Sequence, residues 1–442
     1  MVVGESTKLR AAEALPATSA IFDGTTVRVR GARGEVLGVQ VLRAATSATT
    51  VSLAVDGARV DGFAVALADV RRPSTMMYGP SRGRGQYPDR LTPTEGPVPT
   101  TREAYFDLAI DRDGAPGLHR GTLTVGDAQL AVELTVDAYQ LPDLGAAPRV
   151  WGYYDDGMAG ADAMAPMFRA HGVVVSPDVT PATWPARRAQ LAGLPFVPVL
   201  LPRDSAGLAR DVAWWARALA GTDQVPFAIP IDEPRSLLAQ VAVRLRAREV
   251  RAAGGGPGRF LYAVTHAPTA ILGDEIDVFI APEPGAGQWT YNGTPPAAGS
   301  MILDTDGVAL RTWGWIGFRH ELPLWYVWDA LFWADRYHRG RDAAPHDLLV
   351  DPVTFDDGED HGNLDGVLAY PGGAPSLRLK ALRRGQQDRL LLDGLAACAG
   401  RPAALAIVAP LVSPADWPVD ESAWEAARRA VLDGLAACNP RR

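Results

Sequence analysis

Near residue 142 the hydrophobic pattern of this chain changes period, and that change limits the folds open to it. Across residues 25–142, short runs rich in β-branched residues are separated by turn residues: TTVRVRG, EVLGVQVLRA, TVSLAVDG, DGFAVALADV, AYFDLAI and GTLTVGDAQLAVELTV. Runs of this kind carry one apolar face each and predict an antiparallel β-sandwich. Residues 72–101 break the rhythm, crowded with Pro, Gly, Arg and Ser, and read as a long irregular excursion. After LPDLGAAPR, apolar runs alternate with helical patterns instead. Strands are expected at 150–155, 173–176, 196–201, 227–231, 260–265, 278–281, 301–304 and 324–328, with helices between most of them, such as 208–220 and 237–252. Eight such strands in about 250 residues predict a (β/α)8 barrel of the TIM type. The expected class is α/β plus all-β: a β-sandwich at 1–142, a linker at 143–149, and a barrel at 150–442. A helix at 376–397, an extra strand at 404–409 and a last helix at 421–437 extend the barrel.

Length and composition agree with two buried cores, since 442 residues exceed one ordinary core and 47% of them are hydrophobic. The 43 basic and 51 acidic side chains leave a net charge of −8 without long single-sign blocks, which argues against nucleic acid as a partner. Residues 402–412, the longest nearly apolar run, contain proline and fall far short of the roughly 20 residues of a spanning helix, so no membrane span is expected. MVVGESTKLR lacks the features of a secretory signal. A secreted or periplasmic location with the leader removed and a cytoplasmic one both stay open, as does the oligomeric state.

Cys398 and Cys438 each close an identical LDGLAAC stretch. They either pair in an oxidising compartment or lie as two apolar thiols at helix ends. No CxxC, no i, i+4 histidine pair and no calcium-loop spacing in the acidic stretch 356–360 is present, so neither metal nor cofactor is expected. Gly79-Pro80-Ser81-Arg82-Gly83 matches the nucleophile-elbow pattern but lacks the strand before it and the helix after it, and reads as coincidence.

The segment that carries chemistry is FAIPIDEPRS, residues 227–236. An apolar strand ends in the adjacent carboxylates Asp232 and Glu233, and Pro234 suits the first turn of a helix. In a barrel this junction opens on the C-terminal rim, where active sites are built. Helix capping is the competing use of such acids. A second pair, Asp274 and Glu275, precedes a strand and so belongs to the opposite rim. Aromatic residues gather at other strand ends: Trp151, Tyr153 and Tyr154 in the first strand, Trp289 and Tyr291 after the sixth, Trp325, Tyr326 and Trp328 in the eighth. Flat apolar rings suit the C–H faces of a pyranose, and nearby polar groups suit its hydroxyls. The candidate substrate contacts are Tyr153, Tyr154, His266, Glu283, Trp289, Tyr291, Asn292, Trp325, Tyr326, Trp328, Asp329 and Tyr370.

Read together, these segments resemble glycoside hydrolase family 123. The resemblance rests on YPDRLTPTEGPVPTTREAYFDLAIDRDGAPGLHRGTLTV at 87–125, on Asp232-Glu233-Pro234, and on LDGVLAYPGGAPSLRLKALRRGQQDRLLL at 364–392. The last is similar to the family's Gly-Asp-Gly-x-Leu-x-Tyr-Pro-Gly, Ser-x-Arg-Leu and Arg-x-Gly-x-x-Asp pattern, with Leu364 in place of the first glycine. It implies that Asp232 and Glu233 form the catalytic pair of a retaining, substrate-assisted hydrolysis of a terminal β-linked N-acetylhexosamine, N-acetylgalactosamine above all. The partner would then be an oligosaccharide or glycoconjugate. In that chemistry the substrate's acetamido oxygen attacks the anomeric carbon, Asp232 offsets the oxazolinium charge, and Glu233 protonates the leaving oxygen. Two alternatives stay open: Glu233 working with a distant carboxylate such as Glu283 or Asp329 on a non-acetamido sugar, and a carbohydrate-binding protein without activity.

Overall fold

The computed structural model describes residues 1–44, 47–333, 346–413 and 416–438, and the chain is mixed α/β, built from several sheets. Contacts divide it into two compact units: one of residues 1–144, 293–319 and 331–442, the other of residues 145–292 and 320–330.

The first unit begins with ten strands: β1 (Val2–Gly4), β2 (Thr26–Arg33), β3 (Val36–Leu42), β4 (Thr49–Val55), β5 (Ala58–Val70), β6 (Gly85–Thr94), β7 (Val98–Thr100), β8 (Glu103–Ile110), β9 (Gly117–Val125) and β10 (Ala128–Gln140). They form two five-stranded sheets, ordered β1-β3-β8-β5-β6 and β2-β10-β9-β4-β7. Alternation along each strand sends Val39, Phe106 and Leu108 from one sheet, and Val29, Leu53, Leu123 and Leu134 from the other, into one shared core. Residues 72–101 are not wholly irregular, because β6 and β7 lie inside them. β6 stands at a sheet edge, where Pro88 and Pro93 remove no needed donor, and a register shift between Ala66 and Leu67 absorbs the irregularity.

The second unit holds β11 (Val150–Tyr153), α1 (Ala161–Ala170), β12 (Val173–Ser176), α2 (Trp184–Arg187), β13 (Phe196–Pro198), α3 (Ser205–Ala218), β14 (Val225–Ala228), α4 (Leu237–Ala252), β15 (Leu261–Val264), β16 (Val278–Phe279), β17 (Thr290–Tyr291) and, after a return of the chain, β18 (Trp325–Val327). All their pairings are parallel, in two four-stranded sheets ordered β12-β11-β18-β17 and β13-β14-β15-β16. Single parallel bridges, Val179 to Val199 and Ile280 to Trp289, connect β12 to β13 and β16 to β17, so the two sheets curl into one neighbour order. Inward side chains form its core: Trp151 stacks on Tyr326 at 4.8 Å between ring centroids, and Phe227 meets Trp151 at 5.4 Å and Trp289 at 4.8 Å.

The seventh strand is β17, not 301–304. Trp289 pairs with Ile280 and fills the interior, whereas the carbonyls of Met301 and Leu303 are taken by Arg378 and Lys8 instead of a neighbouring strand. α5 (Thr312–Arg319), α6 (Leu377–Ala399), α7 (Arg401–Leu411) and α8 (Glu421–Cys438) belong to the first unit, so residues expected to extend a barrel cluster with the N-terminal sheets. The run at 404–409 is part of α7, not a strand. A short apolar run does not declare its period, and here Pro402 opens a helix that buries Ala404, Val408 and Leu411 on one face. Gly314 and Gly385 let α5 and α6 touch backbone to backbone. Cys398 and Cys438 form a disulfide linking the ends of α6 and α8 across 40 residues, a loop closure worth about 4 kcal/mol in the chain-entropy model. Among the described residues no helix is long and apolar enough to cross a membrane.

Candidate active site

The acids follow β14. Asp232 and Glu233 lie after the strand but before the helix, because α4 starts at Leu237 and its N-cap is Ser236, whose hydroxyl accepts from the Ala239 N–H at 3.1 Å. Capping is thus done by Ser236, and neither Pro234 nor the two acids belong to the helix. Glu233 has φ of +39°, in the left-handed region that costs a side-chain-bearing residue about 1 kcal/mol. Its N–H is held at 2.7 Å by the Thr265 hydroxyl, which in turn donates to Asp232 Oδ1 at 2.5 Å. One threonine at the end of β15 therefore fixes both acids.

The two carboxyl groups meet different partners. Tyr291 Oη, from β17, donates to Glu233 Oε1 at 3.0 Å, and Arg235 pairs with Glu233 Oε2 at 2.7 Å. Arg235 is 85% exposed, so this ion pair contributes little and a ligand can displace it. Asp232 is exposed to solvent, yet the protein around its carboxyl group raises its pKa. Burial is the main cause, the Thr265 hydrogen bond opposes it, and the charge of Glu233 adds to it.

Through Tyr291 the acids adjoin an aromatic cluster. Tyr326 is buried over Trp151 and faces Tyr291 at 6.4 Å between centroids. Its phenol is pushed well up by burial, then by the charges of Asp178, Asp232 and Asp329. Tyr153 donates to Asp155 at 2.9 Å, and its phenol is likewise raised, first by burial. Asp329 is fully buried just beyond β18. Asn292, at φ +53°, accepts from the Trp328 N–H at 2.7 Å through its side chain, which ties the end of β17 to that of β18.

Of the residues expected from sequence, the structure thus gathers Asp232, Glu233, Tyr153, Tyr291, Asn292, Tyr326, Trp328 and Asp329. His266 follows Thr265 and its Nδ1 lies 2.6 Å from the Ala267 carbonyl, while Glu283 stands exposed beyond β16. Four others lie elsewhere. Trp289 is packed in the core against Phe196 and Phe227, and Trp325 is buried at the start of β18, the end of the strand away from the acids. Tyr154 is turned toward Asp162, Arg187 and Gln190. Tyr370 belongs to the other unit, where its hydroxyl donates to the buried Asp89 at 2.8 Å. Sequence reasoning missed Thr265, Arg235 and Asp178. The signal for two of them was positional, since Thr265 in AVTH and Asp178 in VVVSPD each follow an apolar strand as Asp232 does.

No family model matches this chain, and no curated protein matches it. Among solved structures it is similar to a family 123 glycoside hydrolase from Clostridium perfringens, a protein of glycolipid glycan hydrolysis. The TM-score is 0.59 at 11% identity, over 99% of this chain and 98% of that one. A glycosyl hydrolase family 2 member from Bacteroides cellulosilyticus aligns over 75% of this chain and 46% of its own at 8% identity, but its TM-score of 0.28 is too low to build on. At 11% identity the first likeness establishes a fold shared along the whole chain.

Proposed function

We propose that this protein is a glycosidase on a (β/α)8-type barrel joined to a β-sandwich, and that Asp232 and Glu233 perform retaining, substrate-assisted hydrolysis of a terminal β-linked N-acetylhexosamine, N-acetylgalactosamine above all. The observation that carries it is the division of labour around Thr265: one hydroxyl ties down two neighbouring acids, with the Asp232 carboxyl on Thr265 and that of Glu233 between a phenol and an exposed arginine. A carboxylate whose surroundings raise its pKa, as those of Asp232 do, is a good place for a developing cation. When the acetamido oxygen closes on the anomeric carbon, the oxazolinium charge grows beside Asp232, and the cost of holding that carboxylate is relieved in the transition state. Glu233 gives its proton to the leaving oxygen and later takes one from water, while Tyr291 keeps the carboxyl group aimed. The stacked rings of Tyr326 and Trp151 support one face of the sugar. The likeness of fold to the Clostridium perfringens hydrolase supports the same reading.

The test is a panel of aryl β-glycosides of N-acetylgalactosamine, N-acetylglucosamine, galactose and glucose. Release from the acetamido sugars alone is expected. Glu233→Gln should lose poor leaving groups yet keep much of its rate on an activated phenol, whereas Asp232→Asn should lose about a hundredfold or more on both. Release only from galactose or glucose would overturn substrate assistance in favour of two distant carboxylates, and no release from any would leave a binding protein.

A further inference from the structure

Asp178 has no place in that mechanism, yet its position is specific. Along β12 the side chains alternate, and Val174 and Ser176 are the inward ones: Val174 is in the core, and the Ser176 hydroxyl accepts from Trp151 Nε1 at 3.0 Å. Two residues beyond Ser176, Asp178 lies near enough to the Tyr153 and Tyr326 phenols for its charge to act on both. The backbone there is rigid, since the Val179 N–H donates to the Pro198 carbonyl at 3.0 Å and its carbonyl accepts from Leu200 at 2.9 Å. Asp178 is half-buried, and among the described residues no donor reaches its carboxylate. Burial alone holds its pKa up at about 6. Its charge acts on the Tyr326 phenol from beyond β12 while that of Asp232 acts on it from beyond β14, so both carboxylates lie near one tyrosine. A half-buried carboxylate without a protein donor, on hydrogen-bonded backbone near the Tyr326 phenol, lacks the partners that buried polar groups ordinarily have.

We infer that Asp178 is a sugar-binding carboxylate that accepts hydrogen bonds from hydroxyls of the pyranose whose glycosidic bond Asp232 and Glu233 cleave. It touches the substrate without moving its bonds, and it deepens the hydrolase reading, on which it rests for the identity of the sugar. A carboxylate accepting sugar hydroxyls contributes through binding in ground and transition states alike, so its loss appears in KM.

The test compares wild type with Asp178→Asn and Asp178→Ala on an aryl β-N-acetylgalactosaminide, alongside calorimetric binding of free N-acetylgalactosamine and galactose. Hydrogen bonds to a charged acceptor predict KM and the monosaccharide Kd rising about tenfold to a hundredfold in both variants, with kcat within about threefold of wild type. Thermal unfolding of each variant checks that the fold persists. Unchanged KM and Kd would overturn the inference while leaving the hydrolase reading intact, as would a fall in kcat at constant KM. Weakened monosaccharide binding in a protein that cleaves no glycoside would uphold Asp178 and sink the hydrolase reading. A wild type that neither binds nor cleaves any of these sugars would sink both.

Discussion

Thr265 and Asp178 show how much a single side chain at a strand end decides. Thr265 has one hydroxyl, and it serves the Glu233 N–H and the Asp232 carboxylate at once. Asp178 has no such donor, and its cost to folding is measurable. Its pKa stands at about 6 in the folded chain against an ordinary 3.8, a difference of about 3 kcal/mol at most. The folded-state value is the raised one, so the folded state binds the proton more tightly than the unfolded chain and gains on it as pH falls through 6. Above that pH the ionised carboxylate weakens the fold. Asp178→Asn should therefore raise the melting temperature at pH 7 by several degrees, and the gain should vanish near pH 4. Calorimetric melts of both proteins at the two pH values check this, and an equal shift at each would contradict it. Stability given up at one carboxylate is what a binding residue is expected to show.

At the scale of elements, the segment Arg383-Arg384-Gly385-Gln386-Gln387-Asp388, part of the family-like pattern, turns out to be architecture. Arg383 pairs with Asp107 and Glu5, Arg384 with Glu35 and Glu425, and Asp388 accepts from Arg311 and Trp315, all buried within α6 and its neighbours. Gly385 lies against Gly314 of α5, where a Cβ on Gly314 would come 1.7 Å from the Gly385 carbonyl oxygen. Gly317, one turn further, would meet only the end of the Arg389 side chain at 3.1 Å. Gly314→Ala should therefore destabilise by several kcal/mol, because two backbones must part. Gly317→Ala should be neutral or gain up to about 1 kcal/mol from helix propensity. Chemical denaturation of the pair separates the outcomes, and equal stability would show that α5 and α6 do not meet there.

For the whole molecule, the boundary near residue 142 divides sequence rhythm but not cores. The N-terminal sheets and the turns beside them keep Glu5, Glu35, Asp89 and Asp107 buried, and the cations that neutralise them include Arg378, Lys380, Arg383 and Arg384 of α6 and Arg428 of α8. A buried acid stripped of its partner costs about 3–5 kcal/mol, and four of them exceed what a small domain can spare. A fragment of residues 1–144 should show no cooperative thermal transition by circular dichroism, while the full chain does. A sharp, reversible melt of the fragment would show that the sheets stand alone.

Much of this protein was readable along the chain. The period-2 runs marked β2 to β5 and β8 to β10, the strand-and-turn rhythm after residue 150 marked seven of the eight parallel strands, and FAIPIDEP marked the two acids, because each signal is local: side-chain alternation and a polar residue ending an apolar run. What the tertiary structure alone decided depends on residues distant in sequence. It drew α6 and α8 to the N-terminal sheets, where buried acids and arginines neutralise one another across more than 270 residues. It also buried Trp289 and Trp325 as core, turned Tyr154 toward Asp162 and Arg187, and placed Tyr370 in the other unit. The physical reason is that a strand's period tells which side chains share a face, whereas burial and charge pairing depend on which other element comes to cover that face.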